Sequence, residues 1–135
     1  MHSNVLKSDV IVVGGGGAGM RAAIAAAEAG ATVTLLTKGQ AARSGATTMA
    51  CPSYQAAFAM EDERDSVDIA FEDTCYEGRY LGDENLIKAL TDESTERAMD
   101  LCSYGMKFRK NDRGNFLQVM HPGHSYERNL VILGD

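Results

Sequence analysis

Cysteine is scarce and unpatterned here: Cys51, Cys75 and Cys102 are odd in number, lie far apart and form no CxxC pair. That spacing argues against a disulfide framework or a zinc site and makes free, reduced thiols the expectation. His121 and His124 flank Pro122-Gly123 without a third ligand of suitable type beside them, so no metal site is predicted. No apolar run approaches the roughly 20 residues that span a bilayer. Met1-His2-Ser3-Asn4 leads almost directly into a β-type run with no room for a signal sequence. The expectation is a cytoplasmic chain without direct membrane insertion, at most peripheral to a membrane through partners. Basic clusters are missing too. With 13 Lys and Arg against 19 Asp and Glu, a net charge of −6 and no aromatic stripe among the basic residues, nucleic acid is excluded as a partner.

What is there describes a globular protein: 135 residues, 44% hydrophobic and 24% charged, the size of one ordinary domain. Its densest signal is Asp9-Val10-Ile11-Val12-Val13-Gly14-Gly15-Gly16-Gly17-Ala18-Gly19, an apolar strand pattern that breaks into glycines and restarts as an alanine-rich helix. Gly14, Gly16 and Gly19 fill the fixed positions of a dinucleotide-binding fingerprint. The first permits the turn off the strand, the second close approach of backbone to a pyrophosphate, the third close packing of helix on strand. The predicted helix, Ala18 to Glu28 with Gly30 near its C-cap, directs unpaired N–H groups and its dipole at an anion. A second strand, Thr32 to Leu36, completes a βαβ-like frame, which a flexible glycine linker would lack. An α/β fold follows.

At the end of that second strand an acidic residue usually accepts hydrogen bonds from a ribose hydroxyl. This chain has Thr37 there, then Lys38. A threonine still bonds a ribose hydroxyl, while the cation also suits a 2′-phosphate, so the residues alone leave FAD, NAD and NADP open.

Downstream, Lys38 to about Ser53 is polar and built of small residues, suited to wrapping a ligand with backbone and hydroxyl hydrogen bonds. Two helices are predicted, one over 66–80 with Val67, Ala70, Phe71 and Thr74 on one face. The other covers 83–104, with Leu86, Leu90, Ala98 and Leu101 buried and Gly105 at its end. Met106–Arg109 and Asn115–Gln118 bracket the turn-rich 110–114 and suggest a β-hairpin. A polar tail, His121 to Arg128, precedes the apolar run Leu130-Val131-Ile132-Leu133.

Three segments together, Asp9 through Ala23, Leu35-Leu36-Thr37-Lys38-Gly39 and Arg43-Ser44-Gly45-Ala46-Thr47, resemble the flavoprotein subunit family of succinate dehydrogenase and fumarate reductase, with L-aspartate oxidase and adenylylsulfate reductase. Weaker similarity continues through Asp73-Thr74, Gly105–Phe108 and Gly123-His124-Ser125 with Arg128. The resemblance implies the N-terminal portion of a Rossmann-like FAD-binding domain over residues 1–135, with parallel strands, helices and a β-hairpin. The later capping domain that holds the family's substrate-gripping residues is absent. It implies FAD, with Gly14, Gly15, Gly16, Gly17, Ala18 and Gly19 on the pyrophosphate, Thr37, Lys38 and Gly39 on the adenosine side, and Ser44, Gly45, Ala46, Thr47 and Thr48 near the flavin. Members that attach FAD covalently carry histidine where this chain has Gly45, so noncovalent binding is implied. Many carry paired glycines where this chain has Cys51-Pro52, and proline removes a backbone donor from that loop. In the parent the resemblance implies hydride transfer between flavin and a dicarboxylate, with an iron-sulfur subunit for a partner. A noncatalytic FAD carrier or docking module, and an NADP-binding oxidoreductase, are the alternatives. Arg43, His124 and Arg128 have catalytic chemistry, but no general base stands beside a nucleophile, so no catalytic residue is assigned and Arg128 is expected to brace the polar tail. Uncovered sheet edges and helix faces predict self-association.

Overall fold

The β-branched run Val10–Val13 forms strand β1 in a computed structural model that describes residues 5–43, 45–50 and 53–133. Helix α1 (Gly17–Glu28) follows, then strand β2 (Val33–Leu36), which pairs with β1 in parallel register from Val10 opposite Val33 to Val13 opposite Leu36. After its Gly-Ala-Gly opening, α1 consists of alanine, methionine, arginine, isoleucine and glutamate, all tolerant of a helix. The helix closes where Gly30 N–H donates to Ala27 O at 2.9 Å and Ala31 N–H to Ala26 O at 3.1 Å, the paired bonds of a Schellman end.

Thr32, expected inside the second strand, sits just before it and locks the two strands together. Asp9 N–H donates to its hydroxyl at 3.0 Å, and its own N–H and hydroxyl donate to Asp9 Oδ2 at 2.8 and 2.6 Å. Those bonds from Thr32 hold the Asp9 carboxyl below its ordinary value. Val10 and Val12 are half-buried while Ile11 and Val13 are 61% and 81% exposed, so one face of the pair is bare. A short 3-10 helix, Ala46–Met49, lies near the end of this first unit, where the composition predicts only an irregular polar segment.

The second unit begins after residue 51. It holds strand β3 (Ser53–Gln55), helix α2 (Val67–Glu77), helix α3 (Glu84–Ser103), strand β4 (Gln118–Val119) and strand β5 (Asn129–Val131). The apolar run predicted near the end becomes the central strand of an antiparallel sheet ordered β3-β5-β4. The hairpin turn closes with Asn111 N–H on Asn115 O at 2.9 Å and a bridge between Lys110 and Phe116, and its arms open onto the end of β5. Ala56, Ala98, Phe108 and Leu130 form the core, ringed by Tyr54, Phe58, Cys102, Met106, Phe116 and Ile132. Phe108 meets Phe116 edge-on at 5.5 Å, and Phe116 meets Phe58 at 5.6 Å. Gln118 is buried in the sheet, its amide donating to Ala56 O and accepting from Met60 N–H, both at 2.9 Å.

Both helices start on side-chain caps, Ser66 Oγ on Ile69 N–H at 3.2 Å and Asp83 Oδ1 on Asn85 N–H at 2.9 Å. Two expectations need correction. Helix α2 ends at Glu77 rather than Tyr80, because Tyr80 N–H returns to Cys75 O at 2.8 Å and Arg79 N–H to Tyr76 O at 2.9 Å, with Arg79 itself left-handed at φ +54°. On α3 the buried line is Thr91, Ser94 and Ala98, whereas Leu86 and Leu90 are 71% and 59% exposed. Small side chains let α3 pack closely, and the Thr91 and Ser94 hydroxyls satisfy themselves on carbonyls within their own helix.

Candidate cofactor site

Gly14 leaves β1 at φ +117°, a conformation L side chains rarely adopt, and its N–H donates to Leu36 O at 2.8 Å. At Gly19, in the first turn of α1, a Cβ would collide with the carbonyl oxygen of Gly14, so helix and strand can approach only through glycine. At Gly15 a Cβ would lie 2.6 Å from Thr37 Cγ2. Gly16 caps the helix without a side chain, so the cap residue itself takes none of the first-turn N–H groups.

These glycines open onto a cleft of about 490 Å³ lined by Gly14, Gly15, Gly16, Thr37, Lys38, Gly39 and Gly45. Three stretches singled out in the sequence therefore converge on one concavity. Thr37, just beyond β2, donates its hydroxyl to Gly39 O at 2.5 Å and shapes the turn that carries Lys38. Gly45 sits at φ +93° before the 3-10 helix, where Thr48 Oγ1 donates back to Gly45 O at 2.9 Å. Thr47 Oγ1 accepts the Gly17 N–H at 3.0 Å. Ala46 begins that 3-10 helix, and Ala18 is exposed on the first turn of α1. Ser44, and the Cys51-Pro52 pair that replaces paired glycines, lie outside the described residues.

Such a cleft fits an anion of the dinucleotide kind. A helix N-terminus presents backbone donors suited to phosphates, with Thr47 Oγ1 on the first of them, and Lys38 adds positive charge two residues beyond β2. Arg43 is exposed, its backbone N–H bonded to Gln40 O at 3.2 Å. Arg128, in the second unit, is fully buried, with Nη2 at 2.8 Å from Asp65 Oδ1 and 2.9 Å from Asp73 Oδ2. Asp73 also accepts from Ser125 N–H at 2.8 Å and Ser125 Oγ at 2.7 Å, which ties the 121–128 loop to α2. His124 Nδ1 lies 2.9 Å from Asn129 Nδ2, and burial, with the nearby Arg128 charge, holds the imidazole below its ordinary value. The role of Asp65 beside Arg128 is not legible in the sequence, where it closes the charged run Glu61-Asp62-Glu63-Arg64-Asp65. Its only signal was position, one residue before the α2 cap.

A strand-glycine-helix-strand unit with this cleft defines a dinucleotide-binding α/β module. The family model described as FAD binding domain matches residues 9–132, and the chain belongs to that family. Among curated relatives it is 41% identical over 128 residues to a fumarate reductase (CoM/CoB) subunit of Methanothermobacter marburgensis, covering 95% of this chain and 23% of that protein. It is 36% identical over 118 residues to a mitochondrial succinate dehydrogenase (ubiquinone) flavoprotein subunit of Xenopus laevis, covering 87% of this chain and 17% of that one. The Mycobacterium smegmatis Sdh1 complex in its apo form superposes with a TM-score of 0.84 at 34% identity, over 95% of this chain and 21% of the matched one. The chain thus spans about a fifth of the length of the proteins it resembles. FAD is the cofactor of this family, and among the described residues no helix is long and apolar enough to cross a membrane.

Proposed function

We propose that this chain holds FAD noncovalently, as the nucleotide-binding part of an oxidoreductase of the succinate dehydrogenase and fumarate reductase type. The observation that carries the reading is the glycine cleft, where Gly14 needs its unusual φ, Gly19 cannot carry a Cβ, and Thr37-Lys38-Gly39 line the opposite wall. In this reading Gly14 to Gly19 receive the pyrophosphate, Thr37, Lys38 and Gly39 the adenosine side, and Ser44 to Thr48 lie toward the flavin. Gly45 offers no side chain for a covalent bond to the flavin. When bound, FAD supplies hydride acceptance and donation, and in the whole protein a dicarboxylate such as succinate or fumarate is the partner in that exchange. The chain's own part is to bind and orient. Lys38 and the helix terminus neutralise phosphate charge, and Gly45 lines the cleft beside them. An electron-transferring iron-sulfur subunit belongs to the same proposal and rests on likeness to complex-forming proteins.

The purified protein should be yellow and release its flavin into acid. A colourless protein that takes up no FAD on incubation overturns the cofactor reading. If FAD binds but neither succinate oxidation nor fumarate reduction is detected with an artificial electron carrier in the whole protein, the noncatalytic carrier reading replaces the enzymatic one.

A further inference from the structure

Thr47 is separated from Gly17 by 30 residues, yet its hydroxyl oxygen accepts the Gly17 N–H at 3.0 Å. Gly17 is the first residue of α1, and Gly16 before it has no side chain with which to cap the helix. The oxygen lies 3.4 Å and 3.5 Å from where Cβ atoms on Gly17 and Gly16 would stand, so the threonine is seated directly on the glycine run. Its own segment is held by the Thr48 hydroxyl on Gly45 O at 2.9 Å. A hydroxyl that accepts one N–H still has a proton to donate. A neutral oxygen also leaves the positive end of the helix dipole without an anion. Family likeness alone assigns the Ser44–Thr48 stretch to the flavin, whereas this hydrogen bond lies at the glycine run.

We infer that Thr47 is a pyrophosphate-binding residue: its hydroxyl accepts the Gly17 N–H and donates its own proton to a phosphate oxygen, extending the glycine cradle with one side-chain donor. This rests on the FAD reading above and deepens it by moving Thr47 from the flavin side to the pyrophosphate. The second loop is thereby fastened at the pyrophosphate.

Thr47→Val, which keeps the shape and removes the hydroxyl, and Thr47→Ser, which keeps the hydroxyl, test the assignment in the flavin-stripped whole protein by titration with FAD and with ADP. Expected is a loss of about tenfold in affinity for both ligands in T47V, the size of one hydrogen bond to a charged group. The absorption spectrum of bound FAD should be unchanged, and T47S should bind like the wild type. Far-UV circular dichroism establishes that each variant is folded, and T47A replaces T47V if the valine does not fit. Unchanged FAD and ADP affinity in a folded T47V overturns the inference, as does a shifted flavin spectrum with unchanged ADP affinity. A wild-type protein that binds no FAD overturns the cofactor reading and this inference with it, so the two failures are told apart.

Discussion

At Gly14 and Gly19 two glycines of one motif are required for different reasons, and substitution separates them. A Cβ on Gly14 meets nothing within 4 Å, so Gly14→Ala strains only the backbone held at φ +117°. The expected loss is about 1–2 kcal/mol in chemical denaturation. Gly19→Ala has an ordinary helical backbone but no room against the Gly14 carbonyl, so α1 must shift off β1. The cleft then loses its shape, and FAD affinity in a titration should fall by more than about tenfold. Arg79 presents the opposite case. It occupies the left-handed position after α2 that glycine usually fills, while Gly78, one residue earlier, has an ordinary φ of −72°. Arg79→Gly should therefore stabilise the protein by about 1 kcal/mol despite losing the guanidinium packing 5.6 Å from the Tyr76 ring centroid, read as a higher urea midpoint.

Among the elements, α2, the loop before it and the loop leading into β5 are fastened by one buried guanidinium. Arg128→Met leaves Asp65 and Asp73 facing each other without their cation, and the expected cost is about 3–5 kcal/mol in equilibrium unfolding. The two carboxylates divide their response to acid. Burial pushes Asp73 up, but its bonds from Ser125 and the Arg128 charge outweigh burial and hold it below its ordinary 3.8. Burial of Asp65 prevails over Arg128 and raises that carboxyl. A carboxyl depressed in the fold adds stability that is complete above its unfolded value and is lost as pH falls through the folded one. Asp65 acts in the reverse sense, since unfolding lets it ionise more readily as pH rises above 3.8. Urea midpoints measured as pH drops below about 3.8 should therefore decline in the wild type and decline less steeply in Asp73→Asn. Helix starts were legible because Ser66 and Asp83 announce themselves by side-chain chemistry. The end of α2 was not, because a non-glycine residue took the left-handed position. The exposed Leu86 and Leu90 were misread because apolar periodicity identifies a face without saying whether a neighbour covers it.

For the whole molecule, the first unit has no buried residue among those described, and Ile11, Val13 and Leu36 are 61%, 81% and 50% exposed. Apolar strand faces left open seek cover. The isolated 135-residue chain should therefore self-associate in light scattering, and Ile11→Thr with Val13→Thr should shift it toward monomer. A strictly monomeric wild-type chain contradicts this.

The sequence by itself determined the glycine cradle, its strand and helix, and the kind of ligand, because a phosphate site built from backbone needs glycine at fixed intervals and little else. It also marked Thr37, Lys38, Gly39 and the stretch from Ser44 to Thr48 as expected cofactor contacts, since short polar segments beside such a motif suit a ligand. Only the tertiary structure decided that Thr47 reaches the Gly17 N–H, that the run from Leu130 becomes the centre of an antiparallel sheet, and that Arg128 is enclosed by two carboxylates. The Thr47 bond, the pairing of β5 with β3 and the Arg128 ion pairs each join residues 30 or more positions apart, and no local spacing encodes such a meeting.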